Sequence, residues 1–296
     1  MKKVLIGGQA VIEGVLMRAP NNYAIAVRKP NKRISVKTRK YVSYTKRNKF
    51  FGLPFIRGVV VLIETVAIGT KALTHSANES IGEKEEQLTK RELAFTLLIS
   101  ILAALLIFKF IPLLLANLFT KGFGLNNFWF NLVDGVIKIA IFVGYLWLIS
   151  LMKDVQRMFE YHGAEHMAVH CYEAKKELTV KNVRKYQTMH PRCGTEFLLL
   201  VLVISIMFYM FIPFGTNFWI KYVFRILLLP IIAGVSYEIL KVSGLYYSKA
   251  IFKIISAPGM LLQKITTKNP SDGQIEVAIK SLESALRAET KTVKKP

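Results

Sequence analysis

The chain has 296 residues, 52% of them hydrophobic, and a formal net charge of +22 at pH 7. High apolar content and high charge do not fit one compact soluble domain, so the two must be segregated along the chain. They are, in the pattern of an integral membrane protein that is mainly α-helical with basic parts outside the bilayer.

Residues 1–50 read as a small β-rich unit. "YAIAVRK", "PNK" and "RISVKT" follow one another as strand, turn and strand, which predicts a hairpin. Before it, "LIGGQAVIEGVLMRAP" is a glycine-punctuated, strand-like run with Glu13 among apolar neighbours. That carboxylate is either buried and satisfied or a secondary candidate for chemistry. The N-terminal stretch is too short in apolar length for a signal peptide, so no cleaved leader is expected. Residues 51–92 supply a helix and a linker. Within 51–73, Arg57, Glu64 and Lys71 recur every seven residues, which predicts an amphipathic or re-entrant helix on the cytoplasmic face rather than a span. His75 stands alone and reads as a surface residue.

Residues 93–247 hold four apolar stretches, at 93–119, 128–152, 197–214 and 219–240, each close to the ~20 residues that cross a bilayer. Lys and Arg number 18 in 1–92, 8 in 153–195 and 9 in 248–296, against one in 120–127 and none in 215–218. The positive-inside bias therefore predicts four transmembrane helices in two hairpins, with both termini and the loop 153–195 in the cytoplasm. Cys171 and Cys193 then lie in a reducing compartment, without a disulfide. Membrane lipids are the expected partners of the basic parts. No nucleic acid partner is expected, because the charge is spread and lacks an interleaved aromatic platform. Asp134 and Lys138, one turn apart inside the second span, predict a local pair that Arg225 could join; Lys109 can snorkel. In the tail, 248–296, "SDGQIEVAIKSLESALRAE" predicts a closing amphipathic helix, and "KTVKKP" should fray.

The chemistry-bearing stretch is "YHGAEHMAVHCYE" (161–173), which holds three of the five histidines. On a helix continuing from the second span, His162, His166, His170 and Glu173 share one stripe, with Glu165 on its flank. Two histidines one turn apart can hold one metal, and "HGAEH" fits the inverted zincin pattern H-x-x-E-H, whose Glu acts as base on bound water. His170 lies about 12 Å along the axis from His162, so with Glu173 it belongs to a weaker second group. "HPRCGT" (190–195) leads into the third span at the same membrane surface, and Glu238 ends the fourth. His162, His166, His190, Cys193 and Glu238 are thus the candidate metal ligands, and Glu165 is the candidate catalytic base. Zinc suits this mixture of nitrogen, sulfur and oxygen donors. The alternative for Glu238 is an ion pair with a nearby Lys or Arg. Cys171 points to another helix face and is left out.

"GGQAVIEGVLMRAP", "RGVVVLIET", "MKDVQRMFEYHGAEHMAVHCYE", "HPRCGTEFLL" and "APGMLLQKITTKNPSDGQIEVAI" resemble, in order, the YqhQ-like bacterial membrane proteins, a family of unknown function whose members are often labelled predicted metal-dependent enzymes. The resemblance covers essentially the whole chain and implies a bacterial plasma membrane location. Family members commonly carry Lys where this chain has Met167, which implies that this position is not catalytic. The expectation is a membrane metal-dependent hydrolase acting at the cytoplasmic surface on a membrane-associated substrate. Its rivals are a non-catalytic scaffold or assembly factor that recruits a cytoplasmic protein partner, and a transporter using Asp134, Lys138, Arg225 and Glu238.

Overall fold

The computed structural model describes residues 4–81, 89–124, 126–213 and 215–293. Four strands form one antiparallel sheet in the order β1-β2-β3-β4: β1 (Gly7–Val11), β2 (Gly14–Arg18), β3 (Asn22–Arg28) and β4 (Ile34–Lys40). The predicted hairpin is β3–β4, with Arg28 opposite Ile34. The glycine-punctuated run before it is a second hairpin that turns at Ile12 and Glu13, where Glu13 takes a positive φ of 51°.

Strand periodicity divides this sheet cleanly, because successive side chains point to opposite faces. Val15, Met17, Ala24 and Ala26 face α6 (Lys153–Glu173) and α12 (Asp272–Val293), meeting Ala164, Ala168, Ile275 and Leu282. Leu16, Tyr23, Ile25 and Val27 face the other way, onto Ile68 and Ala72 of α2 (Ile56–Ile81). A sheet covered on both faces explains why β2 and β3 are buried almost throughout. A short helix α1 (Tyr44–Arg47) connects β4 to α2. The charged stripe of α2 is used inward: Glu64 takes Ser43, the Tyr44 N–H and Arg18, and Arg57 binds Glu238, while Lys71 is exposed.

The apolar part begins with α3 (Lys90–Leu105), a π-helical turn at Leu106–Phe110 and α4 (Ile111–Phe123), followed by α5 (Asn127–Ile149). Ala94–Phe123 and Asn127–Ile149 are each long and apolar enough to cross a membrane. The stretch expected as a fourth span is two helices, α9 (Phe218–Leu227) and α10 (Leu229–Leu245), bent by 43°. Pro230 in the first turn of α10 removes a backbone donor there, which accounts for the break. The stretch expected as a third span is the apolar helix α8 (Gly194–Tyr209), of 16 residues. Taken as one span, the bent pair raises the count of candidate crossings from two to three.

α6 does not continue α5; residues 150–152 break the chain between them. The tail contains α11 (Ala250–Thr266) before α12, and α11 packs on α8 through Leu262 against Leu202. A four-residue helix, α7 (Val180–Val183), sits in the loop after α6. Of the tail expected to fray, 294–296 lie outside the described residues.

Candidate metal centre

α6 packs on β1, β2 and α12, and its histidine stripe is met by residues at the start of α8, after α7 and at the end of α11. Three chain segments close over it. The loop after α7 brings Thr188, Met189 and His190, the start of α8 brings Cys193, and the end of α11 brings Thr266 to Lys268.

The His162 ring has Nδ1 2.8 Å from the Thr266 carbonyl oxygen, and the His166 ring has Nδ1 2.5 Å from that of Thr188. A carbonyl can only accept, so in each neutral ring the proton is on Nδ1 and the lone pair is on Nε2. Those lone pairs converge: the ring centroids are 4.4 Å apart, and His162 Nε2 is 3.2 Å from Cys193 Sγ. The two histidines and Cys193 each present a donor atom, all within 4.8 Å of one another. A tetrahedral zinc with usual bond lengths separates N and S ligands by about 3.5 Å, and the His162–Cys193 pair at 3.2 Å is close to that spacing. Imidazoles that bind metal characteristically give their other N–H to a carbonyl or carboxylate, as both do here. Cys193 Sγ also lies 3.2 Å from Thr195 Oγ1.

Glu165 is 4% exposed, with Oε2 3.4 Å from His166 Nε2. The backbone of β1 comes against it: the Gly8 N–H donates to the carboxylate, and a Cβ on Gly8 would sit 2.9 Å from Glu165 Cγ. Burial pushes this carboxyl above its usual range, opposed by His162, His190, the Gly8 N–H and Arg192. Burial also holds His166 below the ordinary imidazole value and so favours the neutral ring that a ligand needs, opposed by its bond to Cys193.

His170, Glu173 and His190 form a second group, already knit by hydrogen bonds. His170 Nε2 donates to the Met189 carbonyl at 2.8 Å, and burial presses its pKa down to about 4. His190 Nδ1 faces the Arg192 N–H at 3.3 Å, while its Nε2 faces Glu173 Oε2 at 3.4 Å. Arg192 also bonds Glu173. Gln263 clamps the His190 backbone on both sides, accepting from its N–H and donating to its carbonyl. The group lines a cleft of about 380 Å³ with Met189, Arg192 and Met260.

The structure therefore gathers His162, His166, Cys193 and Glu165 but puts His190 with His170 and Glu173. Glu238 lies apart from these donors, in the ion pair that was its alternative reading. Its carboxylate is engaged by Arg57 Nε, at 2.7 Å, by Arg57 Nη2 and by the Phe55 N–H, which joins α10 to α2. Glu13 is likewise a satisfied carboxylate, paired with Arg157 and accepting from the Tyr161 hydroxyl at 3.2 Å. Met167 is core, at 4% exposure. The residues missed in sequence are those acting through backbone, Thr188 and Thr266, and Glu196. Glu196 is 1% exposed with neither oxygen in hydrogen-bond geometry, although Ser256 lies beside it. A carboxylate at the mouth of "FLLLVLV" was its available signal.

A family described as "Protein of unknown function (DUF1385)" matches residues 53–288. The chain is 31% identical over 296 residues to "Uncharacterized protein YqhQ" of Bacillus subtilis (strain 168), covering 96% of this chain and 92% of that protein. No solved structure matches. The chain belongs to the DUF1385 family, whose YqhQ-like character its motifs indicated.

Proposed function

We propose that this protein is an integral membrane metal-dependent hydrolase of the bacterial plasma membrane. It crosses the bilayer four times, with the short α8 as its third crossing and the broken α9–α10 pair as its fourth, and keeps both termini and the histidine site on the cytoplasmic side. The observation that carries the reading is the pair of Nδ1–H groups pinned on Thr266 and Thr188, which turns both Nε2 atoms toward Cys193.

His162, His166 and Cys193 would hold one divalent ion, zinc by the chemistry of the donors. Such an ion, when bound, polarises a substrate carbonyl and lowers the pKa of a coordinated water. The chain does the rest. The two carbonyls keep the imidazoles in the binding tautomer, and Glu165, walled in by Gly8, takes the proton from water and returns it to the leaving group. The cleft beside His170, His190 and Arg192, whose lining includes Gly244, Tyr247 and Met260, would admit the substrate. The H-x-x-E-H pattern favours an amide or peptide bond, and the position of the cleft favours a membrane-associated substrate.

Glu165→Gln tests the reading and separates it from a structural metal site. A base can be replaced without loss of metal, whereas a fourth protein ligand cannot. Wild-type and variant proteins, reconstituted with bacterial membrane extract, are compared for products by mass spectrometry and for bound metal. Retained metal with lost turnover supports the enzyme. Lost metal supports a closed structural site and a scaffold.

A further inference from the structure

A second charged cluster lies inside the apolar half, away from the histidines. Asp134 and Lys138 of α5 pair as expected, and Arg225 of α9 joins them, its Nη1 2.7 Å from Asp134 Oδ1. Arg225 Nη2 donates to Asn131 Oδ1 at 3.0 Å. Lys109 completes the group by donating to the Tyr209 hydroxyl at 3.1 Å, and that hydroxyl in turn donates to the Arg225 carbonyl at 3.3 Å. The Tyr209 ring is the hub, with Lys138 Nζ at 4.5 Å, Arg225 Cζ at 4.6 Å and Lys109 Nζ at 5.6 Å from its centroid.

Three cations thus meet one carboxylate. Lys138 and Asp134 are fully buried, Arg225 is 1% exposed and Lys109 7%. Aromatic faces soften a buried cation but do not neutralise it, and uncompensated charge in an apolar interior is costly. Two further observations mark the place as built. Arg225 Nε is buried without a hydrogen-bond partner, and Nη1 contacts Asp134 without hydrogen-bond alignment. Two helix irregularities also fall here. The π-helical turn Leu106–Phe110 carries Lys109, and the α9–α10 bend follows Arg225; π-turns concentrate at functional sites.

We infer that this cluster is a binding site for a small inorganic anion of the halide class, held against the Nε edge of Arg225 and the ammonium of Lys109. The near-complete burial favours a monatomic anion over a lipid phosphate, which would need an opening to the surface. This site is independent of the metal reading and calls for no chemistry at the histidines.

The test is thermal unfolding of the purified full-length protein in phosphatidylcholine nanodiscs, in chloride, bromide or gluconate at constant ionic strength, with chloride-35 NMR line broadening as a direct readout of binding. The expected result is a saturable rise in Tm with chloride and bromide but not gluconate. Arg225→Gln should lose both that rise and the line broadening. Lys138→Met, which removes one excess charge, should weaken the dependence. Asp134→Asn, which adds one, should move saturation to lower chloride; if that variant does not fold, Lys138→Met and the NMR signal still decide. Equal Tm in chloride and gluconate with no line broadening in wild type overturns the proposal. So does stabilisation by phosphatidylglycerol nanodiscs alone.

Discussion

Gly163 sits inside "HGAEH", between the two histidines proposed as ligands, and offers a perturbation that removes no donor atom. A Cβ built there would lie 2.2 Å from the Lys268 carbonyl oxygen and 3.1 Å from Thr188 Cγ2. A carbon–oxygen contact needs about 3.3 Å, so Gly163→Ala must push the 266–268 segment back by about 1 Å. That segment is tied down nearby, because the Lys268 N–H donates to the Phe159 carbonyl at 2.9 Å. Overpacking of this kind costs about 1–3 kcal/mol. The Thr266 carbonyl that holds the His162 proton would move with it, and loss of such a partner weakens metal binding roughly 10–100-fold. Metal affinity is read by competition with a chelator, and stability by thermal unfolding in detergent. Gly144→Ala is the control, since nothing lies within 4 Å of its Cβ; that helical substitution should be neutral or slightly stabilising. A Gly163→Ala protein with wild-type Tm and wild-type metal affinity would refute both the close approach and the role given to Thr266.

Three other outcomes are expected. Glu238→Gln should lower stability by about 1–3 kcal/mol through the loss of a charge-assisted pair with Arg57, yet leave bound metal unchanged; a drop in metal would return Glu238 to the ligand set. The His170 imidazole is held at about 4 against an ordinary 6.5, so the unfolded chain takes up a proton in that window that the folded chain refuses. Stability is then full above pH 6.5 and falls toward pH 4, by at most about 3 kcal/mol and by less because the ring is partly exposed; a Tm–pH profile as steep for His170→Asn as for wild type would contradict this. Ser281 donates to the Val15 and Ala24 carbonyls at 2.9 and 3.1 Å, so Ser281→Val should destabilise by about 1–3 kcal/mol with no change in metal content, measured on the same samples.

The β unit was legible in sequence because alternation and turn residues are local signals. "YAIAVRK" and "RISVKT" became β3 and β4 within a residue or two. The histidine stripe was legible for the same reason, since a helix places i and i+4 together whatever surrounds it. The partners of those histidines were not. Thr266 and Thr188 contribute only carbonyl oxygens, which leave no residue-type signal, and both approach from segments remote in the chain. Glu238 was ambiguous because its position at a span end says that it needs a partner but not which one. Arg57 lies 181 residues away, and only the packing of α2 on α10 reveals the pair. The apolar stretches marked helices of which two, or three with the bent pair, are long and apolar enough to cross a membrane, but hydropathy alone carried no warning that residues 219–240 would bend beside Pro230. The gathering of Lys109, Lys138 and Arg225 around Tyr209 was half visible. Asp134 and Lys138 are neighbours in sequence, whereas Tyr209 and Lys109 arrive from other helices.

The central claim is that His162, His166 and Cys193 form one metal site. Elemental analysis of the full-length protein, purified without chelators, tests it most directly, beside His162→Ala and a His75→Ala control outside the cluster. The account predicts one zinc or similar divalent ion per chain in wild type and His75→Ala, and loss of that ion in His162→Ala. A folded wild-type protein that holds no stoichiometric metal after incubation with zinc would contradict it.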